Sequence, residues 1–177
     1  MARASTRIDS ISNRAAEIDR RGDWPAVSLL MNQNLSPSRY VDPISHDGVH
    51  DSLTFLPAPA YFYEYLYREI AIIERSQQPL TLMKFLIEPI DATKTSNYEV
   101  SIINFAKAIN RSIRKSDFAA RIGRYEFVLA LTPGHTKADE IALRLIRIWR
   151  DEEFNFSYSS TPFEEGDGAL SLLNRLD

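Results

Sequence analysis

Two oppositely charged side chains stand three residues apart in this sequence, and together they could bind a polar ligand. Arg114 offers two parallel N–H donors that suit an anionic group such as a phosphate. Asp117 can accept hydrogen bonds from N–H donors of a ligand. The same spacing also fits an exposed helix end, with the arginine near the helix dipole and the aspartate capping the next turn. Both interpretations stay open at this point.

Histidine and cysteine offer no further chemistry. The three histidines, His46, His50 and His135, are too scattered to predict a metal site, and loop or surface positions account for them. The chain contains no cysteine, which excludes a thiolate metal site and a disulfide framework. We therefore expect no metal and no cofactor.

A short hairpin follows the charged pair. Residues 118–122 and 127–131 have the composition of two strands, and a tight turn fits between them. Gly123 is free to adopt a positive φ in that turn. Upstream, residues 97–115 carry apolar side chains at helical spacing, so the hairpin is predicted to follow a helix that ends near Arg114.

The hairpin string SDFAARIGRYEF resembles the signature of the GGDEF family, the bacterial diguanylate cyclases. Its five signature positions hold Gly123, Arg124, Tyr125, Glu126 and Phe127. Only the first and the last two of these match the family pattern. The sequence therefore looks like a degenerate member of that family.

The segment from Asp51 resembles the D-x-L-T-G-L-x-N-R motif that opens the family's domain. The matching positions are Asp51, Leu53, Thr54 and Leu56. Phe55, Ala58 and Pro59 stand where the family usually has Gly, Asn and Arg. The resemblance covers residues 51–177.

The resemblance implies that cyclase chemistry has been lost. The family holds magnesium with carboxylates, because the charge on the triphosphate must be neutralised during phosphoryl transfer. Aligning Lys94 and Asn97 with the family motif D-x-D-x-F-K-x-x-N places Pro89 at the metal-binding aspartate and Asp91 at the second aspartate. Tyr125 takes the position of the catalytic acid in the turn. We therefore predict no catalytic residues and no enzymatic activity.

Other positions depart from the family pattern as well. Arg124 replaces a glycine, and its side chain would occupy space that the family leaves for substrate phosphates. The family's C-terminal basic helix has no counterpart, so the domain is expected to be shortened at that end. Strand alternation predicts that Glu88 and Glu126 point away from the two vacated carboxylate positions.

The resemblance also suggests a role for the charged pair. Arg114 and Asp117 match the RxxD motif with which many cyclases bind their product, cyclic di-GMP, as an inhibitor. The family commonly adds an arginine from the following helix, and here Arg144 and Arg147 are both candidates. Cyclic di-GMP is therefore the regulatory ligand that the resemblance implies.

Residues 51–177 predict an α+β domain with a central, mostly antiparallel sheet covered by helices, the palm-like fold of nucleotidyl cyclases. Residues 80–87 form a nearly continuous apolar strand, as expected at the centre of a covered sheet. Helical spacing predicts these core positions: Phe62, Leu66, Ile70 and Ile73 in the first helix, Ile102, Phe105, Ile109 and Ile113 in the second, and Ala138, Ile141, Leu145, Ile148 and Trp149 in the third.

Residues 1–50 differ from the rest and predict an N-terminal helix followed by a connector arm. Apolar residues recur on one narrow helical stripe at Ile8, Ile11, Ala15 and Ile18. The helix could pack on its own domain or pair with another helix. An ordered arm is expected, since its apolar residues are costly to leave in water.

Composition narrows the class of protein. The chain has 177 residues, 44% of them hydrophobic, which supports one folded domain with an extension. A net charge of −3 argues against broad electrostatic binding to nucleic acid. The longest apolar run is too short and too charged to span a membrane, and no apolar signal core is visible near the start. We expect a cytoplasmic protein.

Two functional hypotheses follow. In the first, the protein is an inactive signalling protein that binds cyclic di-GMP at its RxxD motif. In the second, it is a protein-interaction or scaffold module that binds no nucleotide and uses the arm or the vacated active-site face. A homodimer is compatible with both.

Overall fold

The computed structural model describes residues 44–91, 98–132 and 138–176. In chain order these residues form α1 (Pro59–Ser76), β1 (Thr81–Pro89), α2 (Tyr98–Ser112), β2 (Phe118–Arg121), β3 (Glu126–Leu131), α3 (Ala138–Ile148), β4 (Phe154–Pro162) and α4 (Ala169–Asn174). The predicted helix of the N-terminal arm lies outside the described residues, as do Lys94, Asn97 and His135.

The four strands form one antiparallel sheet in the order β2-β3-β1-β4. β1 lies inside the sheet and pairs with β3 on one side and with β4 on the other. Both faces of β1 are covered, which explains why its sequence is nearly continuously apolar. The predicted α+β class with a helix-covered antiparallel sheet is confirmed.

Helices cover both faces of the sheet. On one face α2 and α3 pack against Met83, Phe85 and Ile87 of β1. On the other face α1 and α4 pack around Leu80 and Leu82. The predicted stripe of α1 is confirmed, since its four members are all buried. None of the helices in the described parts of the chain is long and apolar enough to cross a bilayer.

One predicted core position in α3 is wrong. Ile148 is 44% exposed, whereas Ile141 and Leu145 are buried as predicted. The helix ends at Ile148, and the next residue, Trp149, is buried as predicted. Its indole lies 4.9 Å from the ring of Phe105 in an edge-to-face arrangement.

The hairpin turn also differs from its prediction at Gly123. This residue does not adopt a positive φ. A Cβ at this position would lie 3.0 Å from Oε2 and 3.3 Å from Cβ of Glu126. Glycine therefore fits here because the turn folds closely over Glu126, and left-handed backbone is not the reason.

Candidate functional site

A buried ion pair connects the start of the domain to the hairpin. Nη1 of Arg121 donates to Oδ1 and Oδ2 of Asp51 at 2.9 and 3.0 Å. The two side chains are only 5% and 1% exposed. Asp51 also accepts from the backbone N–H of Thr54 at 2.8 Å, so its carboxylate organises the opening turn as well.

The same arginine holds the hairpin turn. Nη2 of Arg121 donates to the backbone carbonyl of Arg124 at 2.9 Å. The sequence analysis did not predict the ion pair between Asp51 and Arg121, although both residues belong to segments that carry the family resemblance. Seventy residues separate the two side chains, and no periodic pattern links positions so far apart.

Three aromatic rings meet where the sequence predicted a vacated catalytic position. The ring of Tyr125 lies 5.8 Å from that of Tyr98 and 6.4 Å from that of Phe154, and Tyr98 lies 5.6 Å from Phe154. All three contacts are edge-to-face, the geometry that aromatic quadrupoles favour. Tyr125 therefore contributes to the packing of the core next to it.

The phenol of Tyr125 is held in its neutral form. Burial raises the pKa of Tyr125, although the neighbouring Arg124 acts in the opposite direction. The guanidinium carbon of Arg124 lies 5.4 Å from the centre of the Tyr125 ring and 6.0 Å from that of Tyr98. These are cation–π distances, so Arg124 covers the aromatic cluster from the solvent side.

Carboxylates do not converge at this position. Glu126 follows Tyr125 on the opposite face of the sheet, as strand alternation predicted, and its Oε1 lies 3.9 Å from Nζ of Lys84. Within the described ranges, no group of three or more His, Cys, Asp or Glu side chains is placed to hold a metal ion. Pro89 ends β1 and offers no side-chain ligand.

A small pocket lies beside the end of β1. Its volume is about 130 Å³. It is lined by Pro89, Ile90, Asp91, Tyr98, Glu152 and Glu153. The pocket can admit a small polar group, but its carboxylates do not form a compact cation site.

Arg114 and Asp117 form a closed turn between α2 and β2. The Arg114 backbone N–H donates to Oδ2 of Asp117 at 2.8 Å, and the Asp117 N–H donates to the Arg114 carbonyl at 3.1 Å. The capping role that the sequence left open for Asp117 is thus present. α2 ends at Ser112, three residues before the predicted end of the helix, so Arg114 belongs to the turn and its side chain is exposed.

Arg144 is the arginine of the third helix that reaches this turn. Its Nη1 donates to the backbone carbonyl of Ser112 at 2.8 Å, at the C-terminal end of α2. The contact satisfies a helix-end carbonyl and places a second guanidinium two residues from Arg114. Arg147 is exposed three residues further along α3. Sequence alone did not distinguish these two arginines.

The RxxD turn and the aromatic cluster lie at opposite ends of β2. Asp117 immediately precedes this strand, and the hairpin turn follows it. Four extended residues span about 13 Å, so the two regions are separate surfaces of one sheet. A ligand bound at the RxxD turn would therefore not need to contact the aromatic cluster.

The family model described as "Diguanylate cyclase, GGDEF domain" matches residues 48–164. The chain belongs to the GGDEF family. This GGDEF chain is 30% identical over 134 residues to the diguanylate cyclase TpbB of Pseudomonas aeruginosa. The match covers 73% of this chain and 28% of TpbB, so the chain spans less than a third of that relative.

Solved GGDEF domains share the fold. The GGDEF domain of TpbB from Pseudomonas aeruginosa superposes with a TM-score of 0.63 at 25% identity, covering 72% of this chain and 84% of the other. The GGDEF domain of DgcB from Caulobacter crescentus, solved in complex with c-di-GMP, gives a TM-score of 0.61 at 23% identity. That match covers 76% of this chain and 89% of the DgcB domain.

Proposed function

We propose that this GGDEF domain belongs to a catalytically inactive signalling protein that binds cyclic di-GMP at the RxxD turn and passes the signal on through protein contacts. The ligand would contact Arg114 and Asp117, and Arg144 would supply the additional guanidinium. Arg147 is the weaker candidate for that third position, because it has no described contact with the turn.

The absence of carboxylates at two positions supports catalytic inactivity. Phosphoryl transfer from a nucleoside triphosphate needs metal ions held by acidic side chains. Proline at position 89 and tyrosine at position 125 supply none, and Tyr125 is engaged with Tyr98 and Phe154. Glu126 does not substitute for them, because it lies on the other face beside Lys84.

The Arg144 contact is the observation that carries the receptor proposal. It brings a second guanidinium to the helix end from which Arg114 projects. Two guanidinium groups and one carboxylate at a single corner suit a ligand with two phosphates and two guanine edges. The hydrogen bonds within the turn hold the backbone of Arg114 and Asp117 in place, which lowers the entropy that binding must overcome.

Isothermal titration of the purified chain with cyclic di-GMP tests the proposal. Arg114→Ala should weaken binding by about tenfold or more, since one bidentate contact contributes roughly 1–3 kcal/mol. Arg111→Ala is the matched control, because Arg111 is an exposed arginine in the last turn of α2. The proposal fails if the wild-type chain gives no heat and no melting shift at ligand concentrations well above micromolar.

The second hypothesis, a nucleotide-independent interaction or scaffold module, has its own support. The Asp117 carboxylate already accepts a backbone hydrogen bond, so its present role is that of a cap. At the other end of β2, exposed Arg124 lies over the rings of Tyr98 and Tyr125, and Ile90, which is 61% exposed, lines the adjacent pocket with Tyr98. Arginine is enriched at protein interfaces, and an exposed isoleucine adds apolar surface. A titration without heat would leave this hypothesis in place.

A further inference from the structure

The outer edge of β4 carries backbone groups that no strand among the described residues pairs with. β4 pairs with β1 along its full length, from Thr81 opposite Pro162 to Pro89 opposite Phe154. In this register the N–H of Phe163 donates to Leu80 and the N–H of Ile90 donates to Glu153, both at 2.8 Å. Odd-numbered residues of β4 therefore bond to β1.

Because antiparallel hydrogen bonding alternates, the even-numbered residues of β4 direct their backbone groups away from β1. The N–H of Phe154 reaches the Asp151 carbonyl at 3.4 Å, and Pro162 has no N–H. Phe156, Tyr158 and Ser160 remain as the three residues whose N–H and C=O groups point outward. A proline at an outward position is typical of an edge strand.

Along β4, the described residues provide little of the usual protection against strand pairing. Natural edge strands are generally short, charged, bulged or covered. β4 has nine residues, FNFSYSSTP, and none of them is charged. At its end, Pro162 lacks an N–H and its carbonyl accepts from Nη2 of Arg175 at 2.6 Å, so the available part of the edge lies before Pro162. A long, uncharged edge of this kind is well suited to pairing with another strand.

An apolar flank of α3 lies beside the open edge. The Tyr158 hydroxyl donates to Oδ1 of Asp139 at 3.0 Å, so the side of α3 that carries Asp139 faces β4. Leu143 and Ile146 follow at four and seven residues and share that side of the helix. They are 54% and 44% exposed, and Tyr158 itself is 40% exposed. Strand pairing at β4 would cover these side chains too.

The opposite edge of the sheet is partly occupied. The N–H of Arg121 in β2 donates to the carbonyl of Pro57 at 3.1 Å, so the segment before α1 lies along that strand. Within the described parts of the chain, β4 is the longer and more open edge, and a sheet that pairs at one edge only can pair once with a copy of itself and then closes. This geometry favours a two-fold dimer over an open chain of molecules.

We propose that two copies of this chain pair through β4, antiparallel and about a two-fold axis at Tyr158, so that the two four-stranded sheets become one. Tyr158 then lies opposite its symmetry mate, and Phe156 lies opposite Ser160. This register aligns the three outward-pointing residues Phe156, Tyr158 and Ser160 of one copy with the same three of the other. It opposes no like charges, and it pairs aromatic side chains at the centre, where cross-strand contacts are favourable. The proposal does not depend on cyclic di-GMP.

Sedimentation equilibrium of the full chain over a concentration series tests the pairing. The wild-type chain should form a dimer. Tyr158→Lys places two ammonium groups opposite each other on the axis and should raise the dissociation constant at least about tenfold, or about 1.4 kcal/mol. Ser160→Pro removes one outward N–H while sparing the hydrogen bonds to β1, and it should weaken the dimer similarly. Tyr67→Lys is the matched control, because Tyr67 is 39% exposed on α1.

Circular dichroism of each variant establishes that it is folded, and hydrogen exchange gives a second measurement on the wild-type chain. The amides of Phe156, Tyr158 and Ser160 should exchange more slowly as the concentration rises. A wild-type chain that stays monomeric throughout, or a dimer that survives both variants, overturns the proposal. Loss of the dimer with Tyr158→Lys alone would also overturn strand pairing, because side chains would then hold the pair. A monomer that instead binds an unrelated extended peptide at β4 would exclude the second copy as the occupant.

Discussion

The guanidinium of Arg121 and the carboxylate of Asp51 form a buried ion pair that fixes the hairpin to the first turn of the domain. Nη1 of Arg121 donates to both carboxylate oxygens of Asp51, and Nη2 donates to the Arg124 carbonyl in the hairpin turn. The position of the turn, and with it the aromatic cluster, therefore depends on a residue that lies 70 positions before Arg121 in the sequence.

Removing one partner of this pair should destabilise the fold strongly. Asp51→Ala leaves a buried guanidinium without its counter-charge, and we expect a loss of about 3–5 kcal/mol in the free energy of unfolding. Urea denaturation measures this loss. Glu164→Gln serves as the control, because Glu164 is 68% exposed and its bond to Arg175 is a surface ion pair. The control should cost at most about 1 kcal/mol. Equal losses in the two variants would contradict a special role for Asp51.

The purified chain should not make cyclic di-GMP from GTP. Neither position 89 nor position 125 supplies a metal-binding carboxylate, so magnesium and manganese should both leave product at the level of a control without protein. Chromatographic detection of the product measures this. Clear turnover that disappears in Glu126→Gln would show that Glu126 replaces the missing acid, and the prediction would then be wrong.

Arg144 and Arg147 should differ in their effect on cyclic di-GMP binding. Arg144 is bonded to the end of α2, so Arg144→Ala should weaken binding by about tenfold, whereas Arg147→Ala should leave it nearly unchanged. Titration calorimetry on both variants measures the difference. The reverse order would show that the third contact comes from the exposed side of α3.

Tyr65 should make the protein sensitive to alkaline pH. Burial raises the pKa of Tyr65, and the carboxylates of Glu69 and Asp117 raise it further. The unfolded tyrosine loses its proton near pH 10, before the folded one does, so stability is complete below about pH 10 and falls as the pH rises above it. Tyr65→Phe should flatten this decline in urea unfolding measured across that range. Tyr67→Phe, on the exposed side of the same helix, should leave it as in the wild type.

Phe55 should be a site of backbone strain. It adopts φ 58° and is 78% exposed, and it stands where the family motif usually has glycine. A left-handed conformation costs a residue with a side chain roughly 1–2 kcal/mol, and glycine avoids this cost at some expense in chain entropy. Phe55→Gly should therefore stabilise the fold by up to about 1 kcal/mol in thermal unfolding. Phe55→Ala keeps the strain and should show no such gain.

Local periodicity predicted most of the fold. The stripe Phe62, Leu66, Ile70 and Ile73 is buried because three- and four-residue spacing fixes one helix face regardless of what covers it. The apolar run of β1 reflects burial on both faces. The prediction that Ile148 is buried was wrong, because periodicity does not indicate where a helix ends.

The candidate site depends on contacts that periodicity cannot encode. The choice of Arg144 over Arg147 requires the distance to the Ser112 carbonyl, which follows from how α3 packs against α2. The sequence placed Tyr125 at a vacated acid position but did not indicate that Tyr98 and Phe154 would pack around it. The reason why glycine fits at position 123 also required the structure, because it depends on how closely Glu126 approaches the backbone there.

The aromatic cluster makes position 125 sensitive to substitution. An aspartate introduced there would remove a ring that packs on two others and would place a charge beside partly buried aromatic side chains. Such a change loses these ring contacts and adds the cost of burying part of a carboxylate. Packing therefore limits which side chains position 125 can accept, and a variant with a carboxylate there should unfold at a lower temperature than the wild type.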